Sequence, residues 1–233
     1  MSVPVPPTPL EPSPLRPRRF DLVVFDWDGT LYDSTALIVQ SIQAACRDLG
    51  AEVPDDRRAS FVIGLGLRAA MEHAAPGLEP ERYPLLAERY KQHYLSRQHA
   101  LTLFPGVLEM LQALRRRNHW LAVATGKSRS GLDEALASAE LNGLFDGTRT
   151  ADETQSKPHP QMLHELMREF GAEPGRTLMI GDTTHDLELA ANAGTPCVAV
   201  SYGAHDHSAF GVHAPLHTAH SVAELARWLA DHA

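Results

Sequence analysis

Hydrophobic positions along the chain fall into two patterns. Short continuous apolar runs at Leu22–Phe25, Leu121–Ala124, Leu178–Ile180 and Cys197–Val200 read as buried strands, with a weaker candidate at Thr148–Thr150. The four runs do not alternate with polar residues, as expected of a parallel sheet covered on both faces. Amphipathic stretches lie between them. Gly106–Arg117 places Val107, Leu108, Leu111 and Leu114 on one face and ends in three arginines, which suit a helix C-terminus. Leu132–Leu141, Pro160–Phe170 and Leu187–Ala193 have the same character, and Gly171 and Gly194 stand where a helix-ending glycine belongs. This alternation predicts a doubly wound α/β core with a parallel sheet.

One segment interrupts the alternation. Residues 34–102 hold no strand candidate, and Ala36–Leu49, Arg57–Val62, Leu67–Ala74 and Glu81–Gln98 all read as helices. So much helix exceeds one crossover, so the pattern predicts an inserted α-helical domain. The core would then comprise residues 20–33 and 103–233, re-entered at the turn Leu103-Phe104-Pro105-Gly106. Residues 1–19 carry seven of the 17 prolines and read as a disordered or polyproline-like tail.

Composition narrows the function. With 233 residues, 43% of them hydrophobic, the chain can bury a substantial core. The net charge is −8 and no Lys/Arg-rich run appears, which argues against nucleic acid as a partner. No apolar run is long enough to predict a membrane span. Cys46 and Cys197, far apart on a helix and a strand, read as reduced core thiols of a cytoplasmic protein.

Candidate chemistry gathers where the strands end, the edge at which open α/β sheets bind ligands. The first strand runs into Asp26, with Asp28 two positions on, followed by Gly29-Thr30. The second ends in Thr125-Gly126-Lys127-Ser128, and the fourth in Gly181-Asp182-Thr183-Thr184-His185-Asp186. Lys157-Pro158 precedes the helix leading to the fourth. Four carboxylates on one rim repel each other unless a cation joins them, and oxygen-only ligands favour a hard ion such as Mg²⁺, which shares substrate phosphate oxygens. A carboxylate can also attack phosphorus to give an acyl phosphate. The partner expected is a small phosphorylated metabolite, its charge offset by Mg²⁺ and Lys157. Thr125-Gly126-Lys127-Ser128 is not a nucleotide P-loop, because that pattern needs a glycine where Leu121 stands.

These motifs, in this order and spacing, resemble the haloacid dehalogenase superfamily over about residues 20–202. The segment after the first motif resembles that family's helical cap, and the subgroup it looks most like is the phosphoglycolate-phosphatase-like one. The resemblance implies Asp26 as nucleophile and Asp28 as general acid and base, its backbone carbonyl also on Mg²⁺. It implies Thr125 and the Gly126 amide as hydrogen-bond donors to the phosphoryl group, and Lys157 as the bridge between nucleophile and phosphate. Asp182 and Asp186, with Asp26 and Asp28, would complete the metal site. Family members acting as dehalogenases lack a second carboxylate at the Asp28 position, so Asp28 argues for phosphoryl transfer. The implied activity is Mg²⁺-dependent hydrolysis of a phosphate monoester through an aspartyl-phosphate, with phosphoglycolate the leading substrate. The alternatives are a sugar-phosphate mutase, a pyrophosphatase or a nucleotide phosphatase, and the assembly expected is a monomer or homodimer.

Within the inserted segment, Ile63-Gly64-Leu65-Gly66-Leu67-Arg68 resembles a cap loop that reaches the active site, and Arg68 could pair with a substrate carboxylate. Lys91, the segment's one lysine, reads as lying on a polar helix face, and Leu85, Leu86 and Tyr90 as cap core. His185 reads as surface-exposed and His205-Asp206-His207 as a solvated loop rather than a zinc site.

Overall fold

Six parallel strands form one sheet in the order β3-β2-β1-β4-β5-β6: β1 Leu22–Phe25, β2 Trp120–Thr125, β3 Gly147–Thr150, β4 Thr177–Gly181, β5 Cys197–Val200 and β6 Thr218–Ala219. This computed structural model describes residues 18–138, 141 and 143–233. Residues 1–17 of the predicted tail, and residues 139–140 of the predicted Leu132–Leu141 helix, lie outside them.

β1 is central, paired with β2 on one side and β4 on the other, so Phe25 is level with both Val123 and Ile180. Successive side chains of a strand point to opposite faces. Val23 and Phe25 pack towards α5 (Val107–Arg116), α6 (Arg129–Ser138) and α9 (Val222–His232). Leu22 and Val24 pack towards α7 (Gln161–Phe170) and α8 (Thr184–Ala193). With both faces apolar and covered, β1 has no polar position until it leaves the sheet at Asp26. Strand order reverses direction beside β1, so the crevice at its C-terminal end is the expected ligand position.

Between β1 and α5 come α1 (Thr35–Asp48), α2 (Asp56–Phe61), α3 (Leu67–Ala74) and α4 (Tyr83–Leu95). Leu37, Ile42, Met71, Ala74, Leu86 and Tyr94 form a separate apolar cluster there. The predicted Glu81–Gln98 helix is three pieces: a 3₁₀ turn at Pro80–Arg82, α4, and a 3₁₀ turn at Gln98–Ala100. Pro84 stands in the first turn of α4, where its missing N–H costs nothing and its fixed φ starts the helix. Leu85, expected in the apolar cluster, is 42% exposed. β6 and α9 have no counterpart in the sequence reading, a two-residue strand being too short for any periodicity. Cys46 and Cys197 are buried and unpaired, and no helix among the described residues is long and apolar enough to cross a membrane.

His119, buried just before β2, bonds through Nδ1 to the Phe20 carbonyl at 2.8 Å, and among the described residues its Nε2 has no partner. Burial lowers its pKa from 6.5 to about 4, outweighing the Phe20 hydrogen bond. The unfolded chain therefore takes up a proton here before the native one does. Stability from this group is complete above pH 6.5 and drains away as pH falls towards 4, by about 2–3 kcal/mol over the window. His119→Gln should flatten that part of the profile. Unfolding midpoints from pH 7 to 4, compared with the native chain, check it.

Candidate active site

The end of β1 places Asp26 in the sheet: its N–H donates to the Ile180 carbonyl at 2.9 Å and its carboxylate is buried. Lys157 Nζ donates to Asp26 Oδ1 at 2.6 Å and to Asp186 Oδ1 at 2.6 Å, all three side chains being inaccessible to solvent. Among the described residues Asp26 Oδ2 has no hydrogen-bond partner. Asp182 follows the end of β4; Thr30 Oγ1 donates to its Oδ1 and the Ala204 N–H to its Oδ2, both at 2.7 Å. Asp186 sits in a capping box at the start of α8, its Oδ2 accepting from the Thr183 N–H and hydroxyl.

Asp26, Asp182 and Asp186 bring carboxylate oxygens within 4.8 Å of one another. Three carboxylates face one ammonium. Burial raises the Asp26 carboxyl to about 7 against the pull of Lys157, and Asp186 and Asp28 add to the rise. Asp182 is raised well above its usual range by burial, then by Asp26 and Asp186. Burial works against the Lys157 charge, but Asp186 and Asp26 outweigh it and hold its pKa above the usual value. Excess negative charge, an all-oxygen donor set and the unpartnered Asp26 Oδ2 together fit a hard divalent cation.

Asp28 belongs to a second group. Its carboxylate accepts from Ser34 Oγ at 2.7 Å and from Lys127 Nζ at 3.0 and 3.1 Å. Lys127 gives its remaining bond to Tyr94 Oη on α4, at 3.1 Å. Thr125, at the end of β2, is buried and receives the Lys127 N–H at 3.2 Å.

Gly126 lies under the inserted segment. A Cβ there would come within 2.6 Å of the Gly64 carbonyl oxygen and 2.5 Å of that of Leu65. Gly126→Ala should therefore push the 63–66 loop off the core, costing about 1–3 kcal/mol and lowering turnover at least about tenfold. Thermal unfolding beside an activity assay checks both. Gly29 is constrained as tightly: its φ is +85°, and a Cβ would fall 2.2 Å from Asp182 Oδ2.

The structure thus gathers Asp26, Asp28, Thr125, Gly126, Lys157, Asp182 and Asp186 at one edge, with the Asp28 side chain apart from the three-carboxylate cluster. Arg68 is not brought there. It follows Leu67 at the start of α3, and one step around the helix turns it outward, where it pairs with Glu72 at 2.9 Å and its side chain is 89% exposed. Tyr90 packs against the apolar cluster and Lys91 is exposed, as expected, and both in addition line the cavity above Asp26. His185 and His205, expected exposed, are buried, and each ring Nε2 bonds the Phe61 carbonyl at the end of α2. Sequence reading placed Thr30, Lys127 and Thr183 in the strand-end motifs without giving them a role, and missed Ser34 and Tyr94. Thr183 could have been found from its T-x-x-D capping pattern. Lys127 stood at the rim in the second motif, but its partners, Asp28 and Tyr94, were not foreseen.

The central strand of the parallel sheet thus ends in a buried carboxylate with a lysine and two further carboxylates around it. The chain belongs to the haloacid dehalogenase-like hydrolase family, which residues 23–200 match. It is 38% identical over 189 residues to the protein named probable phosphatase IndB of Dickeya dadantii, covering 79% of this chain and 82% of that one. It is 31% identical to a phosphoglycolate phosphatase of Synechococcus elongatus (79% and 85% covered) and 30% identical to a 5'-nucleotidase of Pseudomonas aeruginosa (92% and 97% covered). The fold matches the crystal structure of a predicted phosphoglycolate phosphatase from Haemophilus somnus, with a TM-score of 0.80, 24% identity, and 90% and 97% of the two chains covered.

Proposed function

We propose that the protein is a Mg²⁺-dependent phosphatase that hydrolyses a small phosphate monoester through an aspartyl-phosphate on Asp26. The observation that carries this is the buried, unpartnered Oδ2 of Asp26 beside Lys157, Asp182 and Asp186. That oxygen has no competing hydrogen bond and is free to attack. Asp182, Asp186 and the Asp26 oxygen that does not attack would hold the ion, which would neutralise charge on the phosphoryl group. Lys157 fixes Asp26 through that same oxygen. Thr125 and the Gly126 amide stand at the end of β2 for the phosphoryl oxygens. Asp28, held by Ser34 and Lys127, protonates the leaving oxygen and then takes a proton from the water that cleaves the acyl phosphate. The helical segment 34–102 acts as a cap over this chemistry.

The names of several relatives support a phosphatase, and some suggest phosphoglycolate. The test is phosphate release from a panel of monoesters, with and without Mg²⁺, in the native chain. Release of inorganic phosphate that stops on chelation and returns with Mg²⁺ is the expected result. Transfer to a second hydroxyl without phosphate release would instead point to a mutase. No release from any ester by folded, Mg²⁺-loaded protein would overturn the reading.

A further inference from the structure

A cavity of about 230 Å³ lies between the helical segment and the strand ends, reaching Asp26, Asp28 and Thr125 at its floor. Its walls are largely hydrocarbon: Ile38 and Ile42 of α1, Leu67 and Met71 of α3, and Tyr90 and Tyr94 of α4. Tyr90 and Tyr94 stack with ring centroids 5.9 Å apart.

The cations near this cavity are few and mostly engaged. Lys127 spends its three N–H groups on the two Asp28 oxygens and Tyr94 Oη. Lys157 is buried between Asp26 and Asp186. Arg68 faces solvent. Lys91 and Glu134 both line the cavity and both are exposed, Glu134 accepting from Gln98 at 2.7 Å, so Lys91 stands where water can reach it and not among the apolar side chains of α1 and α3. Gln98, Ser128 and Ser130 also line the cavity but are neutral. A second anionic group lodged against Ile38, Ile42, Leu67 and Met71 would therefore be buried among hydrocarbon without a charged partner, which is unfavourable. An apolar body would displace water from the same walls at a gain. As for size, a cavity of about 150 Å³ admits a benzene ring, so this one takes a single ring or a branched chain.

We propose that this cavity selects phosphate monoesters whose leaving alcohol is uncharged with an apolar or aromatic body, and discriminates against leaving groups carrying a second anion. The inference rests on the phosphatase reading above and goes against phosphoglycolate as the preferred substrate.

Matched esters test it in the native, Mg²⁺-loaded protein, with Asp26→Asn as the blank. Benzyl phosphate is compared with 4-carboxybenzyl phosphate, and ethyl phosphate with 2-phosphoglycolate, by kcat/KM for phosphate release. The uncharged member of each pair should be favoured by about tenfold or more. Equal rates within a pair, or 2-phosphoglycolate as the best of the four, would overturn the proposal while leaving the phosphatase reading intact. No Asp26-dependent release from any ester would take both down. Leu67→Arg, which places a cation on the cavity wall, should shift the benzyl pair towards the carboxylated ester by about tenfold. A folded Leu67→Arg protein with an unchanged ratio would show that these walls do not read the leaving group.

Discussion

Asp26→Asn should lower kcat/KM for phosphate release by about 10⁴-fold or more, the scale of loss seen when a nucleophile is removed from a covalent mechanism. The amide has the shape of the carboxylate but cannot form the acyl phosphate. Asp26 is fully enclosed, with its backbone N–H tied into the sheet, so the substitution leaves the surrounding strands in place. It also removes one negative charge from a crowded cluster. The variant should therefore unfold at the same temperature as the native chain or higher in metal-free buffer, and gain less from added Mg²⁺. Phosphate release and thermal unfolding, each with and without the ion, give the two readouts. A variant that unfolds normally and retains a tenth of native turnover would assign the attack to some other group.

Lys157→Met should have the second largest effect, on stability as well as rate. Removing one partner of a buried ionic cluster costs about 3–5 kcal/mol because the charges left behind lose their compensation. Here the sign with pH is set by the carboxyls. Asp26 is raised to about 7 and Asp182 well above its ordinary value, each chiefly by burial. Between the ordinary carboxylate range and those raised values, the native state binds more protons than the unfolded one. Stability therefore rises as pH falls through that interval, and the deficit of the variant should shrink from pH 8 to pH 5. Mg²⁺ at pH 8 should restore part of the loss by supplying charge in place of the ammonium. Chemical denaturation at both pH values measures it. A deficit that is the same at pH 5 and pH 8 and unmoved by Mg²⁺ would mean that Lys157 acts only as packing.

The core of the fold was legible because β1, β2, β4 and β5 are continuous apolar runs, which suit a doubly covered parallel sheet when helical stretches alternate with them. β3 was visible only faintly, since Gly147, Thr148 and Arg149 are half-exposed at the sheet edge. β6 carries too few residues to show a period. At the site, Asp26, Lys157, Asp182 and Asp186 could be read because charged groups abruptly end apolar strands or precede the helix between them. What could not be read was direction. Leu67 lines the cavity while Arg68 beside it does not, and Tyr90 and Lys91 both line it, because of how α3 and α4 are set against the core, which the spacing of residues within each helix does not reveal. The burial of His185 and His205 depends on the Phe61 carbonyl, a backbone atom from a distant element that no side-chain pattern announces.

The Lys127 ammonium joins the two parts of the chain. Two of its three bonds go to Asp28, just beyond β1, and the third to a phenol on α4. One positive charge thus works as a hasp between the inserted helices and the carboxylate edge, and any displacement of α4 would have to undo it.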